Sequence, residues 1–204
     1  TVSGTVNVVS LDVSPDNSTL SMCEGGSLQY IRSVSNSDGS PLWTKGSTAG
    51  YSVSAEVNTD KFYWNDARAT YSAFIEYLPD GTFMVGDGGN SRVIHYAADR
   101  SYIEQIAFIP HCYLTSVDSN DSTRVFANFL EYRLDYSLPL SPKNGSWELV
   151  ANWGHDVDSD HFSSYQQIRF ATTLSNGRTY ALSHSGSAQE VVELVSGGNL
   201  RYTG

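Results

Sequence analysis

Four stretches of the 204-residue chain share one rhythm. They read LDVSPDNSTLSMCEGGSLQYI from Leu11, IEYLPDGTFMVGDGGNSRVIHY from Ile75, TSVDSNDSTRVFANFLEYRLDY from Thr115 and FATTLSNGRTYALSHSGSAQEVVEL from Phe170. In each, a short apolar run meets a polar turn, a second run follows, a Gly/Ser or polar turn intervenes, and a third run closes. A further run comes after each stretch: SPLWTKG, YIEQIAFIP, SWELVANWG and GNLRYTG. Helical periodicity is weak throughout. The first turns fall near Asp16, Asp80, Asn120 and Asn176 and are unevenly spaced. The shortest interval is close to the ~40–50 residues of a four-stranded repeat. Two insertions, residues 47–71 and 155–167, account for the longer intervals and leave repeat units at 1–46, 72–110, 111–154 and 168–204.

Four-stranded antiparallel units in series predict an all-β fold, a β-propeller of about four blades within a single domain spanning 1–204. Radial packing of such blades buries both faces and protects the strand edges. A β-sandwich also has many short strands, but the four-strand rhythm with its recurring terminal Gly favours blades. The second unit carries the most specific signal. Its run from Asp80 to Tyr96, DGTFMVGDGGNSRVIHY, resembles the NHL repeat, whose blades carry a DG…YVADxGNxRVxxF pattern. The resemblance implies that Gly89 and Asn90 make the turn between the second and third strands, and that Asp87 and Arg92 hold it as a polar pair. A phosphate-cradling reading of these glycines fails, because no Lys-Ser/Thr follows them and Asn90 leads into a strand rather than a helix. NHL-like propellers commonly have six blades. The expected alternatives are a closed four-bladed ring, part of a longer propeller, or blades that self-associate through open edges.

The formal charge of −10 with only three lysines, Lys45, Lys61 and Lys143, argues against nucleic acid as a partner, since phosphate binding needs clustered cations. No apolar run approaches the ~20 residues of a membrane span. The chain begins at Thr1 with no Met and no signal-peptide pattern, as expected of a processed product or an excised fragment. Its acidic, Lys-poor surface and three sequons point to an extracellular or cell-surface glycoprotein. The sequons place candidate glycosylation at Asn17, Asn120 and Asn144, each in a predicted turn. Cys23 and Cys112 fit either one disulfide or two buried thiols.

The two insertions are expected on one propeller face, where loops carry function. They supply the candidate binding residues: Tyr51, Tyr63, Trp64 and Asp66 from the first, with Trp153, His155, Phe162 and Tyr165 at the second. Aromatic faces flanked by Asp and Asn suit sugars and protein hot spots; the competing reading is that these rings pack their own loops. Asp156, Asp158 and Asp160 alternate as Ca²⁺ ligands would. However, His161 stands where an EF-hand loop needs Gly and Gln167 where it needs Glu, so a solvated acidic loop competes with the Ca²⁺ reading. No other cofactor is expected. No G-x-S-x-G elbow or convergent set of acid/base groups is found, and no catalytic residue is assigned. The expected function is a secreted, non-catalytic binding or assembly module for protein or glycan, or a repeating structural subunit. The alternative is a metal-dependent propeller hydrolase or lyase.

Overall fold

The computed structural model describes residues 4–5, 7–48, 50, 55–64, 73–109, 115–141, 143, 145–155, 167–185, 188–195 and 199–202. Among them the chain is all-β and forms four four-stranded antiparallel sheets, each an up-and-down meander in chain order. These are the blades of a β-propeller-type architecture. The first blade holds β1 (Val8–Val13), β2 (Thr19–Glu24), β3 (Tyr30–Ser35) and β4 (Pro41–Lys45). The second holds β5 (Ala73–Tyr77), β6 (Phe83–Asp87), β7 (Arg92–Tyr96) and β8 (Tyr102–Ala107). The third holds β9 (Thr115–Asp118), β10 (Asp121–Ala127), β11 (Leu130–Leu134) and β12 (Trp147–Asn152). The fourth holds β13 (Gln167–Thr173), β14 (Thr179–Ser185), β15 (Ala188–Val195) and β16 (Asn199–Tyr202). No helix among the described residues is long and apolar enough to cross a membrane.

The blades pack in pairs, which makes two compact units. Unit one comprises Thr1–Tyr51 and Asn58–Phe108, and unit two comprises Ser52–Val57 and Ile109–Gly204. In unit one, side chains of blades one and two interdigitate: Cys23 and Ile31 pack with Ile75, Phe83, Val85, Ile94 and Tyr96, and Phe62 and Trp64 complete the cluster. Strand alternation selects these residues, since Phe83, Val85 and Asp87 share one face of β6 and Arg92, Ile94 and Tyr96 share one face of β7. The buried Cys23 thiol is free, and burial pushes its pKa up. In unit two, Phe126, Ala151 and Trp153 of blade three pack with Ile168, Ala171, Ala181, Val192 and Leu194 of blade four.

Each unit ties its two blades with a carboxylate from a first strand. Asp12 accepts the Tyr77 N–H (2.7 Å), and Asp118 accepts the Thr173 N–H (2.9 Å). Within each unit the first strand of one blade therefore meets the first strand of the other, where these N–H groups would otherwise be left unpaired.

The hairpins share a second device. Asp16, Asp38, Asp80, Asp99, Asp121 and Asp135 each accept the backbone N–H two residues on, at 2.9–3.0 Å. These are Asx turns, in which a short side chain mimics the backbone turn. The residue between donor and acceptor takes the left-handed conformation at Asn17, Gly39, Gly81 and Arg100.

Candidate functional site

The GDGGN stretch of the second blade is the natural place to look for a site, and it proves to be a clamp. Gly88–Asn90 form one turn of 3-10 helix, and Ser91 rather than a glycine takes the left-handed conformation that ends it. Asp87 is fully buried. Its Oδ2 accepts from Arg92 Nε (2.8 Å) and Asn90 Nδ2 (2.9 Å), and its Oδ1 accepts from the Tyr63 N–H (2.7 Å). Arg92 reaches on to the carbonyls of Asn58 (2.8 Å) and Lys61 (3.0 Å) and to Gln105 Oε1 (3.2 Å). The Gly89 N–H donates to the Tyr63 carbonyl at 2.9 Å. A Cβ at Gly89 would lie 2.5 Å from that same oxygen and 2.4 Å from Tyr63 Cγ, so only glycine fits.

The same segment is gripped from the first blade. The Gln29 carboxamide brackets Trp64, accepting from its N–H (2.6 Å) and donating to its carbonyl (2.7 Å). The Trp64 indole donates to the Gly86 carbonyl (3.0 Å) and stacks on Phe62 at 4.7 Å between centroids. Tyr63 and Trp64, expected on an exposed binding face, are therefore inside: Tyr63 is 6% exposed and Trp64 1%. The physical reason is that residues 58–64 lie between two blades, where a large ring buries more apolar area than on a loop surface.

Unit two holds a different arrangement. A cleft of about 760 Å³ is lined by β10–β12, by Glu56 and Val57, and by Thr173, Gly177, Thr179 and Leu194 of the fourth blade. Its wall includes a charged cross-strand row. Arg124 on β10 pairs in register with Arg133 on β11, which pairs with Glu148 on β12. Like charges directly opposite on neighbouring strands repel, and carboxylates offset this. Arg124 Nε donates to Glu131 (2.8 Å), and its Nη1 lies 3.3 Å from Asp118 and donates to Thr173 (2.8 Å) and Thr179 (2.6 Å). Arg133 Nη1 donates to Asp121 (2.7 Å) and Thr123 (3.0 Å). Burial pushes the Asp118 carboxyl up, but hydrogen bonds from Thr173 and Asn120 together with Arg124 outweigh it, and Asp118 sits below its ordinary range.

Open donors and acceptors remain. Arg124 Nη2 and the Nη2 and Nε of Arg133 have no partner among the described residues, and Glu148 is exposed. Trp153 joins this site through its indole, which donates to Glu131 Oε2 at 2.9 Å, but the ring itself is only 5% exposed. Residues 55–57 run antiparallel beside β12, bridged at Glu56 and Ala151, with the Val57 N–H donating to Val150 (3.0 Å) and Ala55 accepting from Asn152 (2.7 Å).

Of the other sequence-predicted residues, His155 ends a 3-10 turn, Trp153–His155. Tyr51, Asp66, Phe162, Tyr165, Asp156, Asp158, Asp160, Asn144 and Cys112 lie outside the described residues. Among the described residues there is no group of three His, Cys, Asp or Glu side chains placed to hold a metal ion. Sequence reasoning missed Arg124, Glu131, Arg133 and Glu148. The signal was there: Arg124 and Phe126 share a strand face, as do Glu131 and Arg133. A strand that places charge on its buried face is reporting a polar network.

No protein-family model matches the chain, and no curated protein matches it. Solved structures do. Hydrazine synthase of Kuenenia stuttgartiensis is 10% identical with a TM-score of 0.36, over 98% of this chain and 49% of that one. The RRP9 WD40 repeats are 9% identical with a TM-score of 0.36, over 97% and 51%. A catalytically inactive virginiamycin B lyase from Staphylococcus aureus with quinupristin is 8% identical with a TM-score of 0.33, over 98% and 56%. The chain thus spans about half the length of these structures.

Proposed function

We propose that the chain is a non-catalytic binding module that takes a polyhydroxylated ligand, a glycan, in the cleft of unit two. One observation carries the reading: the Arg124–Arg133–Glu148 row presents open guanidinium donors beside an exposed carboxylate acceptor. A sugar hydroxyl donates and accepts at once, so a surface alternating both kinds of group satisfies it, whereas an anion would meet Asp121, Glu131, Glu148 and Glu56. The volume is that of an ordinary ligand pocket. The pairing of Arg124 with Glu131 and Asp118 serves to hold the donors in place. An extracellular or cell-surface setting belongs to this proposal, as does the NHL character of the second blade, which the Asp87–Arg92 clamp supports.

The test is a panel of neutral and acidic oligosaccharides on an array, followed by titration calorimetry of any that bind. Arg133→Ala and Glu148→Ala are expected to weaken binding roughly tenfold each, about 1.4 kcal/mol. Their thermal midpoints are expected to stay near wild type, because Glu148 is exposed and Arg133 gives up only the exposed pair with Asp121, worth about 0–1 kcal/mol. A panel with no binder, or a binder indifferent to both substitutions, overturns the proposal.

A further inference from the structure

The sequons differ in what the fold asks of their asparagines. At Asn17-Ser18-Thr19 the main chain holds the turn: the Asn17 N–H donates to Ser14, and its carbonyl accepts from Asn36 Nδ2. The Asn17 carboxamide is exposed and has no hydrogen bond among the described residues. At Asn120-Asp121-Ser122 the carboxamide is structural. Asn120 Nδ2 donates to the Thr173 carbonyl at 2.9 Å and to Thr172 Oγ1 at 3.2 Å, fastening the β9–β10 hairpin to β13.

An N-linked glycan is attached through the same Nδ2 nitrogen and replaces one of its two hydrogens. At Asn17 nothing is lost. At Asn120 at least one of the two bonds is lost, and the first sugar must occupy the space where either Thr172 Oγ1 or the Thr173 carbonyl stands. The glycan is therefore compatible with the folded blades at one sequon and opposed to them at the other. We infer that, in a glycosylating secretory compartment, of these two asparagines Asn17 is modified and Asn120 stays bare. The carrier would be the tip of the first hairpin of unit one. This inference is independent of the cleft in unit two.

The whole chain, secreted from a eukaryotic host behind a cleavable leader, tests it. Peptides from the soluble secreted protein are mapped after enzymatic glycan removal, which converts each modified Asn to Asp. Occupancy at Asn17 is expected to exceed that at Asn120 by about tenfold or more. Thr19→Ala is expected to abolish the Asn17 glycan, while Ser122→Ala leaves the total glycan mass unchanged. A bare Asn17 overturns the inference, and so does soluble, folded protein carrying a glycan on Asn120.

Discussion

At the scale of single residues, the glycines and carboxylates of the second blade act on the backbone rather than on a ligand. Gly89 is where the turn after β6 touches the Tyr63 carbonyl, with no room for a methyl group. Gly89→Ala is expected to cost about 1–3 kcal/mol, as overpacking does, and a urea-unfolding midpoint checks it; an unchanged midpoint would mean that the contact with Tyr63 is not made. The turn aspartates give a pH dependence of known sign. The Ser14 hydroxyl, then the Ser18 N–H and hydroxyl, hold the Asp16 carboxyl down to about 2. Asp38, Asp80, Asp99, Asp121 and Asp135 are lowered by the same kind of bond, from Ser40, Thr82, Ser101, Thr123 and Ser137. A carboxyl lowered on folding binds its proton more weakly in the native state. Its stabilisation is present above the unfolded value of about 3.9 and is lost as pH falls through the native value. The thermal midpoint is thus expected to fall between about pH 4 and pH 2, and Asp16→Asn to flatten that slope. An Asp16 carboxyl that titrates at its ordinary value by NMR would contradict this reading of the turn.

At the scale of elements, the strands were legible and the insertions were not. Each fourth run predicted from sequence became an outer strand, from Pro41–Lys45 to Asn199–Tyr202, because alternation and turn residues are local signals. Residues 55–64 carry no such signal. Their positions are set by partners far along the chain: Val150 and Asn152 for Ala55 and Val57, and Gln29, Asp87 and Arg92 for Asn58–Trp64. A local reading of FYW therefore sees an exposed aromatic loop where the fold makes an inter-blade filler. The cleft was missed for a related reason, since Arg124 and Glu131 become a site only when register brings their strands together. The hairpins also offer a test at this scale. The β7–β8 turn puts Arg100 at φ 75°, where the β5–β6 turn uses Gly81 at φ 85°. Arg100→Gly relieves a left-handed strain of about 1 kcal/mol but gives up the cation–π contact with Trp43 at 5.6 Å, worth about 0.5–1 kcal/mol at an exposed site. The midpoint is therefore expected to move by less than about 1 kcal/mol in either direction; a loss beyond about 2 kcal/mol would show that Arg100 does more than stack on Trp43.

At the scale of the molecule, the two units use the same parts differently. Each joins two blades through an aspartate of a first strand and a shared apolar core. In unit one the buried ion pair, Asp87–Arg92, is turned inward on the chain's own carbonyls. In unit two the guanidiniums keep free donors toward a cleft. One unit thus holds a structural clamp and the other the cleft in which we propose that a ligand binds. The most direct test of that division measures unfolding midpoint and oligosaccharide affinity on the same two variants, Asp87→Asn and Arg133→Ala. Breaking the buried pair is expected to cost about 3–5 kcal/mol of stability and to leave the affinity of the folded fraction unchanged. Arg133→Ala is expected to do the reverse, losing about tenfold in affinity at nearly constant midpoint. Affinity that falls with Asp87→Asn at full folding, or that survives Arg133→Ala, would contradict it.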